Sequence, residues 1–124
     1  MRILVVAPQQ KPIVKEVENT LTALQEVVGG TIQTLYPFIE PVVLVCNDEG
    51  KLLDLPMNRA LRDEDGQMYD VICGTFFLCG LSGDSFASLT EELIQKFKIE
   101  FAVPERFIRI GNYLIVLPIG DGDI

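Results

Sequence analysis

Continuous apolar runs mark the predicted buried strands of this chain. Three runs are the clearest: Arg2–Ala7, which ends at Pro8; Val42–Cys46, which is rich in β-branched residues; and Tyr69–Gly80. A run that is apolar at nearly every position is typical of a strand covered on both faces. We therefore predict that the longest run, Tyr69–Gly80, is one central strand, with Gly74 at a bulge or a close approach of backbone.

Three shorter segments predict further strands. Ile13–Val17 fits either a strand or an extension of the following helix, and the Gln-Gln-Lys-Pro connection before it favours the strand. Thr31–Phe38 alternates apolar and polar positions. Arg106–Ile119 places Ile-Gly-Asn-Tyr between two alternating apolar runs, which predicts a β-hairpin.

Two segments, about 19–28 and 89–100, have the spacing of amphipathic helices. The first has Asn19 or Thr20 as its N-cap and ends at the Gly29–Gly30 pair, where the chain can turn left-handed. The second opens with Ser88 and Glu91, which have the spacing of a capping box. The two apolar stripes are Leu21, Leu24, Val27 and Val28, and Leu89, Leu93, Phe97 and Phe101.

These elements amount to six or seven strands and two helices, too few helices for a doubly wound parallel sheet. We predict an α+β fold, in which a mostly antiparallel or mixed sheet carries both helices on one face. The length of 124 residues is near the commonest size of one domain. Residues 1–124 are therefore predicted to form a single domain, with 119–124 as a flexible tail.

Composition predicts a protein with its own core. Hydrophobic residues make up 48% of the chain, enough to fold without disulfide or metal staples. No apolar run approaches the roughly 18–20 residues that cross a bilayer, and the opening run is too short for a signal peptide. Cys46, Cys73 and Cys79 all lie in apolar runs, which predicts buried thiols in a reducing compartment. We expect a cytoplasmic protein that does not bind membranes.

The net charge of −8 is concentrated in the middle of the chain. Between Glu40 and Glu92, eleven acids outnumber three bases. This balance disfavours binding to nucleic acid, whose phosphates require clustered Lys and Arg.

Several chemistries are excluded or disfavoured by the residue types. The absence of histidine removes the commonest general base, the Ser-His and Cys-His nucleophiles and most zinc sites. On one strand Cys73 and Cys79 would lie about 20 Å apart, too far to share an ion. A calcium loop counted from Asp63 has Met68 where glycine is required and Gly74 where a bidentate Glu is required. We predict no catalytic residue, no metal site and no cofactor.

The connection NDEGKLLDLPMNRALRDEDG, Asn47–Gly66, holds most of the candidate binding residues. Its start predicts a turn with Gly50 at positive φ, after which Lys51–Leu53 can return as a strand. Pro56–Arg62 can form one or two helical turns, since proline suits a helix start. The candidate binding surface consists of Asn58, Arg59, Asp63, Glu64, Asp65 and Thr75.

Asn58 and Arg59 have two interpretations. Arg59 can clamp a carboxylate or phosphate bidentately, with Asn58 orienting the ligand. Alternatively, Asn58 caps or bridges a turn while Arg59 pairs with Asp54 or with the acids at 63–65. We favour the second interpretation because local pairing of this kind is common.

Three blocks, LQEVVGGTIQ, NDEGKLLDLPMNRALRDEDG and DVICGTFFLCG, are similar to signature blocks of the domain of unknown function 3846 family. Its members are small proteins of Gram-positive bacteria, phages and conjugative elements. The resemblance extends from Met1 to about Phe97. Met57 stands where the family's usual LPPNRAL has its second proline, which should loosen the turn slightly. The resemblance implies a fold and a genetic setting, without an activity.

Three functions are compatible with these observations. We place first a non-catalytic protein-interaction or regulatory module linked to mobile elements, with another protein as its partner. The second is a small-molecule or peptide binder, with an enzyme as a special case, in which Asn58 and Arg59 line a pocket beside Gly74–Thr75. The third is a structural oligomer that pairs through the strand edge of IRIGNYLIV.

Overall fold

A six-stranded antiparallel sheet forms the centre of the computed structural model, which describes residues 1–120. In chain order the elements are β1 (Arg2–Val6), β2 (Ile13–Glu16), α1 (Leu21–Val28), β3 (Ile32–Leu35), β4 (Val42–Asn47), β5 (Met57–Arg62), β6 (Met68–Cys73), β7 (Phe76–Ser82), β8 (Ser85–Ala87), α2 (Glu91–Glu100), β9 (Glu105–Ile110) and β10 (Tyr113–Pro118). The central sheet has the order β2-β1-β7-β4-β3, and β8 pairs with the end of β7. Two antiparallel pairs, β5–β6 and β9–β10, form separate two-stranded sheets.

The predicted α+β class is confirmed, with strands dominating the described part of the chain. The strand at Ile13–Glu16 and the hairpin of β9 and β10 are found as expected. The strand count exceeds the prediction for three reasons: Met57–Arg62 is a strand, Tyr69–Gly80 divides into β6 and β7, and Ser85–Ala87 adds the short strand β8.

The two helices lie on opposite faces of the central sheet, so the prediction that both cover one face is wrong. Alternate side chains of a strand point to opposite faces. One face of the central sheet packs against α2 and against residues of β5 and β6. The other face packs against α1. The first core includes Leu4, Val6, Leu44, Phe76, Leu78, Ile94 and Phe97, and the second includes Ile3, Val5, Val43, Val45, Phe77, Leu24 and Val28.

Gly74 ends one strand and separates it from the next, so Tyr69–Gly80 is not the single strand predicted. Its φ is 84°, in the left-handed region that glycine adopts without strain. A Cβ atom at this position would also lie 2.8 Å from Cδ1 of Leu55. The chain therefore leaves the β5–β6 hairpin at Gly74 and enters the central sheet as β7, which is central as expected.

Met57–Arg62 is a strand, and the predicted helical turns at Pro56–Arg62 are wrong. Lys51–Asp54 forms turns and not a return strand. Gly50 does not have the expected positive φ; a Cβ there would lie 2.7 Å from the carbonyl oxygen of Cys73, so a close backbone approach requires the glycine.

Threonines cap both helices. Thr20 Oγ1 accepts from the Ala23 N–H at 3.2 Å, as one of the two predicted caps, and Thr90 Oγ1 accepts from the Leu93 N–H at 3.3 Å. Ser88, the predicted cap of the second helix, instead accepts from the Arg2 N–H at 2.9 Å.

Of the predicted tail at 119–124, Ile119 is buried and its N–H donates to the Pro104 carbonyl at 2.8 Å. Residues 121–124 lie outside the described residues.

Candidate functional site

A β-bulge in β5 turns two adjacent polar side chains into the protein. Met57 pairs with Cys73 and Arg59 pairs with Ile72, so the register shifts at Asn58. Neighbouring residues of a regular strand point to opposite faces, whereas a bulge re-aims them. As a result Asn58 is fully buried and Arg59 is 1% exposed, although both are polar.

The Asn58 side chain binds two backbone carbonyls and the side chain of Arg59. Its Nδ2 donates to the carbonyl of Val6, at the end of β1, at 2.8 Å, and to the carbonyl of Gly74 at 2.9 Å. Its Oδ1 accepts from Nη1 of Arg59 at 2.9 Å. The Asn58 side chain therefore contacts the turn between β6 and β7 through the carbonyl of Gly74. This agrees with the interpretation in which Asn58 bridges a turn.

Arg59 binds carbonyl groups and not the expected acids. Its Nη2 donates to the carbonyls of Gln10 at 2.6 Å and Phe101 at 3.0 Å, and Nη1 also donates to the Asn58 carbonyl at 3.2 Å. These acceptors belong to the β1–β2 connection, the end of α2 and β5. The guanidinium group thus joins three segments that are distant in sequence, and the predicted pairing with Asp54 or the acids at 63–65 is not what holds it.

Burial lowers the pKa of Arg59 from its usual value, and the charge of Glu105 opposes this effect. Glu105 itself is bound to the neighbouring strand: its Oε1 accepts from the Ala60 N–H at 2.9 Å and its Oε2 accepts from Arg62 at 2.7 Å. Nε of Arg59 has no hydrogen-bond partner within the described residues. Four of the donors are used, so the side chain is a structural anchor and not an exposed anion clamp.

The acidic residues of the candidate surface lie apart from this buried pair. Asp63, Glu64 and Asp65 are exposed in the turn between β5 and β6, beyond the far end of β5. Asp63 Oδ1 accepts from the N–H groups of Asp65 and Gln67, both at 2.9 Å, which fixes the turn. Thr75 is half-buried beside Gly74, whose carbonyl contacts Asn58. The six candidate residues therefore do not form one continuous surface.

The three cysteines are free thiols and differ in exposure: Cys46 and Cys79 are buried, and Cys73 is half-buried. Burial raises the pKa of the Cys79 thiol to about 12, and burial together with Asp70 raises the pKa of Cys46 to about 11. Such thiols are poor nucleophiles at neutral pH. The sequence predicted that Cys73 and Cys79 share one strand. In the structure they lie on different strands, β6 and β7.

Within residues 1–120, no group of three or more His, Cys, Asp or Glu residues is placed to hold a metal ion. Neither α1 nor α2 is long and apolar enough to cross a membrane.

A groove of about 830 Å³, which the sequence did not reveal, lies between the β5–β6 hairpin and the β9–β10 hairpin. Phe107, Arg109 and Leu114 line it from the β9–β10 side, and Tyr69 and Cys73 line it from β6. A second cavity, of about 490 Å³, is lined in part by Arg59 and Glu105. No local sequence signal could have identified the groove, because it depends on how two hairpins distant in sequence are placed.

The β9–β10 hairpin has an inner face and an outer face. Phe107 pairs with Val116 and Arg109 with Leu114, and these inner residues point toward the groove or are half-buried. The opposite, outer face presents apolar side chains to solvent. These are Ile108, Ile110, Tyr113, Ile115 and Leu117, which are between 37% and 78% exposed.

The arrangement defines a small α+β protein whose buried polar pair, Asn58 and Arg59, binds backbone carbonyls, and whose surface includes a groove and an apolar hairpin face. A family model described as a domain of unknown function (DUF3846) matches residues 1–102. The chain belongs to this family, and the expected resemblance is confirmed. The β9–β10 hairpin lies beyond the matched residues. No similar curated protein and no similar solved structure was found.

Proposed function

We propose that the protein is a non-catalytic protein-interaction module whose contact surface is the outer face of the β9–β10 hairpin. The observation that carries the proposal is the exposure of five large apolar side chains on this one face. Scattered exposed apolar residues are ordinary, whereas a contiguous patch usually marks an interaction site.

The size of the patch supports a specific interface. At about 200 Å² of total surface for a side chain of this size, the observed exposures leave about 500 Å² of apolar surface open. A standard protein interface buries about 800 Å² on each partner, of which about 65% is apolar in homodimers. The hairpin face therefore supplies about the apolar area that one side of a homodimer needs.

The partner that best fits this face is a second copy of the chain. Ile108 pairs with Ile115, Ile110 pairs with Tyr113, and Leu117 pairs with Arg106, so the face is a double row of side chains that are apolar except for Arg106 at one end. Such a surface is complementary to itself across a two-fold axis. Within the described residues the hairpin forms no backbone ladder with any other strand.

Charge also favours this face over the rest of the surface. The chain carries a net charge of −8, which opposes the approach of two copies in most orientations. The β9 strand contains Arg106 and Arg109 against the single acid Glu105. The hairpin therefore carries a net charge of +1 and adds no net negative charge at the contact between two acidic chains.

The absence of a catalytic role is supported by the chemistry of the candidate residues. The chain has no histidine, and two of its three thiols are buried with raised pKa values. The side chains of Asn58 and Arg59, which are candidates for ligand binding, donate hydrogen bonds to backbone carbonyls. The family resemblance further suggests that the interaction serves a phage or another mobile element.

Sedimentation velocity over a range of concentrations tests the proposal. We expect the wild-type chain to be a dimer at about 100 µM and the Ile115→Asp variant to be a monomer, because a charge in the contact face is costly to bury. The matched control is Ile99→Asp, which changes another exposed apolar residue (78% exposed) on α2 and should leave the dimer intact. A wild-type monomer at every concentration, or a dimer that survives Ile115→Asp, would overturn the proposal.

A further inference from the structure

We infer that the groove between the β5–β6 and β9–β10 hairpins is a binding site for a small organic anion with an aromatic or otherwise apolar body. This site lies on the inner side of the hairpin, opposite the outer face, and Arg106 borders both surfaces. Its volume of about 830 Å³ lies within the range of sites that bind small molecules.

The groove has unused positive charge. Arg106 and Arg109 both line it, and neither guanidinium group has a hydrogen bond or ion pair with another side chain in the part of the chain that the structure describes. Guanidinium groups match carboxylate and phosphate oxygens in geometry and charge. Arg109, on the inner face of the hairpin, therefore favours an anionic group on the ligand, and Arg106 adds positive charge from the outward-facing position one residue before Phe107.

Most other charges of the groove are already paired. Lys51 Nζ donates to Asp70 at 2.6 Å, and Glu105 accepts from Arg62 at 2.7 Å. Asp54 is the acid that remains against the two arginines. The uncommitted charges thus sum to one positive charge, although the chain as a whole is strongly acidic.

Apolar side chains form the rest of the lining. Tyr69 and Phe107 offer aromatic surface, and Met57, Met68 and Leu114 contribute flexible or branched apolar surface. A site of this composition binds a ring or hydrocarbon body by burial and orients it through a few polar contacts. Methionine adapts its shape to the ligand, so the site would accept a range of apolar bodies.

The backbone around the groove is held in unusual conformations. Gln9 (φ 62°) and Asp54 (φ 55°) are the two non-glycine residues with positive φ among residues 1–120, and both line this groove. Such conformations cost free energy and cluster at ligand-binding sites. Their joint occurrence here agrees with the charge and the lining in pointing to a ligand.

The experiment is a titration of the ¹⁵N-labelled full chain, followed by amide chemical shifts, with 1-naphthoate as the probe. 1-Naphthyl phosphate tests whether phosphate serves as well as carboxylate, and uncharged 1-naphthylmethanol tests the need for charge. We expect both anions to shift the amides of Lys51, Asp70, Cys73 and Arg109, and the alcohol to bind about tenfold more weakly or worse, since a charged hydrogen bond is lost.

Variants separate the groove from other apolar surface. Arg109→Gln should weaken 1-naphthoate binding about tenfold or more, whereas Arg2→Gln, which removes an arginine that pairs with Glu91 outside the groove, should not change it. Arg106→Gln serves as a second groove variant if Arg109→Gln does not fold. Shifts confined to the outer face of the hairpin, equal binding of the alcohol and the anions, no shifts at all, or unchanged binding by both groove variants would overturn the inference.

Discussion

Nη1 of Arg59 donates to Oδ1 of Asn58 at 2.9 Å inside the protein, although the two residues are neighbours on one strand. The bulge at Asn58 makes this contact, because it turns both side chains to the interior. Arg59 also binds the carbonyls of Gln10 and Phe101, which are 49 and 42 positions away in the sequence. Asn58 binds the carbonyl of Val6, which is 52 positions away. The pair therefore fastens β5 to the central sheet and to the end of α2.

Replacing Asn58 by alanine should be strongly destabilising. The change removes the hydrogen bonds of the Asn58 side chain to the carbonyls of Val6 and Gly74 and to Nη1 of Arg59. All of these groups are buried. An unsatisfied buried polar group costs about 1–3 kcal/mol, so we expect a loss of about 3 kcal/mol in the free energy of unfolding. Urea denaturation measures it. The control is Asn112→Ala in the exposed β9–β10 turn, for which a similar loss would contradict the account.

Arg59→Lys should also destabilise the fold even though it keeps the positive charge. A lysine cannot reproduce the planar fork that reaches the carbonyls of Gln10, Asn58 and Phe101. We expect a loss of about 2 kcal/mol. Arg109→Lys, at a partly open position in the groove, is the matched control and should change stability by less than about 0.5 kcal/mol. Equal effects of the two substitutions would show that the carbonyl network contributes little.

Gly74→Ala should lower the free energy of unfolding more than Gly83→Ala, although both glycines have positive φ. Gly74 and Gly83 have φ values of 84° and 62°, but only at Gly74 does a Cβ atom meet a neighbour, Leu55 Cδ1 at 2.8 Å. Both substitutions incur the backbone cost of about 1–2 kcal/mol, and Gly74→Ala adds the cost of moving the Leu55 side chain, about 1 kcal/mol. Thermal and urea unfolding of the two variants measure the difference. If Gly83→Ala is as destabilising, the contact with Leu55 is not what requires glycine at 74.

Stability should fall as pH rises above about 9, in part because of buried thiols. Burial raises the pKa of Cys79 from 9.0 to about 12, so its contribution to stability is fully present below pH 9. Between pH 9 and 12 the thiol ionises in the unfolded chain but not in the folded chain, and stability is lost. The Cys79→Val variant should lose stability less steeply between about pH 9 and 10.5, by up to about 1.4 kcal/mol per pH unit. Urea unfolding under reducing conditions checks this. A variant with the same pH slope as the wild type would contradict the role of Cys79.

The sequence predicted those parts of the fold that depend on local pattern. The runs at β1 and β4, the cap at Thr20 and the Ile-Gly-Asn-Tyr turn all rest on residues that interact with near neighbours. The prediction of helical turns at Pro56–Arg62 was wrong because its two polar residues, Asn58 and Arg59, are buried in a strand. There they bind backbone carbonyls that are distant in sequence, which local pattern does not reveal. The split at Gly74 was missed because an apolar run has no period that reveals a change of sheet.

The relative positions of the candidate residues could not be predicted, for the same reason. Asn58 lies beside Gly74 as expected, but the acids at 63–65 lie at the other end of β5, and the groove forms only where two hairpins meet. Local spacing contains no information about either arrangement. Whether Asp63, Glu64 and Asp65 bind a partner stays a prediction, which neutralising them as Asn, Gln and Asn would test in a binding assay.

The most direct test of the central claim, that two copies meet through the outer hairpin face, is an isotope-filtered NOE experiment on a mixture of ¹³C-labelled and unlabelled chains. We predict intermolecular NOEs among the methyl groups of Ile108 and Ile115 and the ring of Tyr113, which share that face. Intermolecular NOEs that arise from other surfaces, or none at concentrations where the chain sediments as a dimer, would contradict the claim.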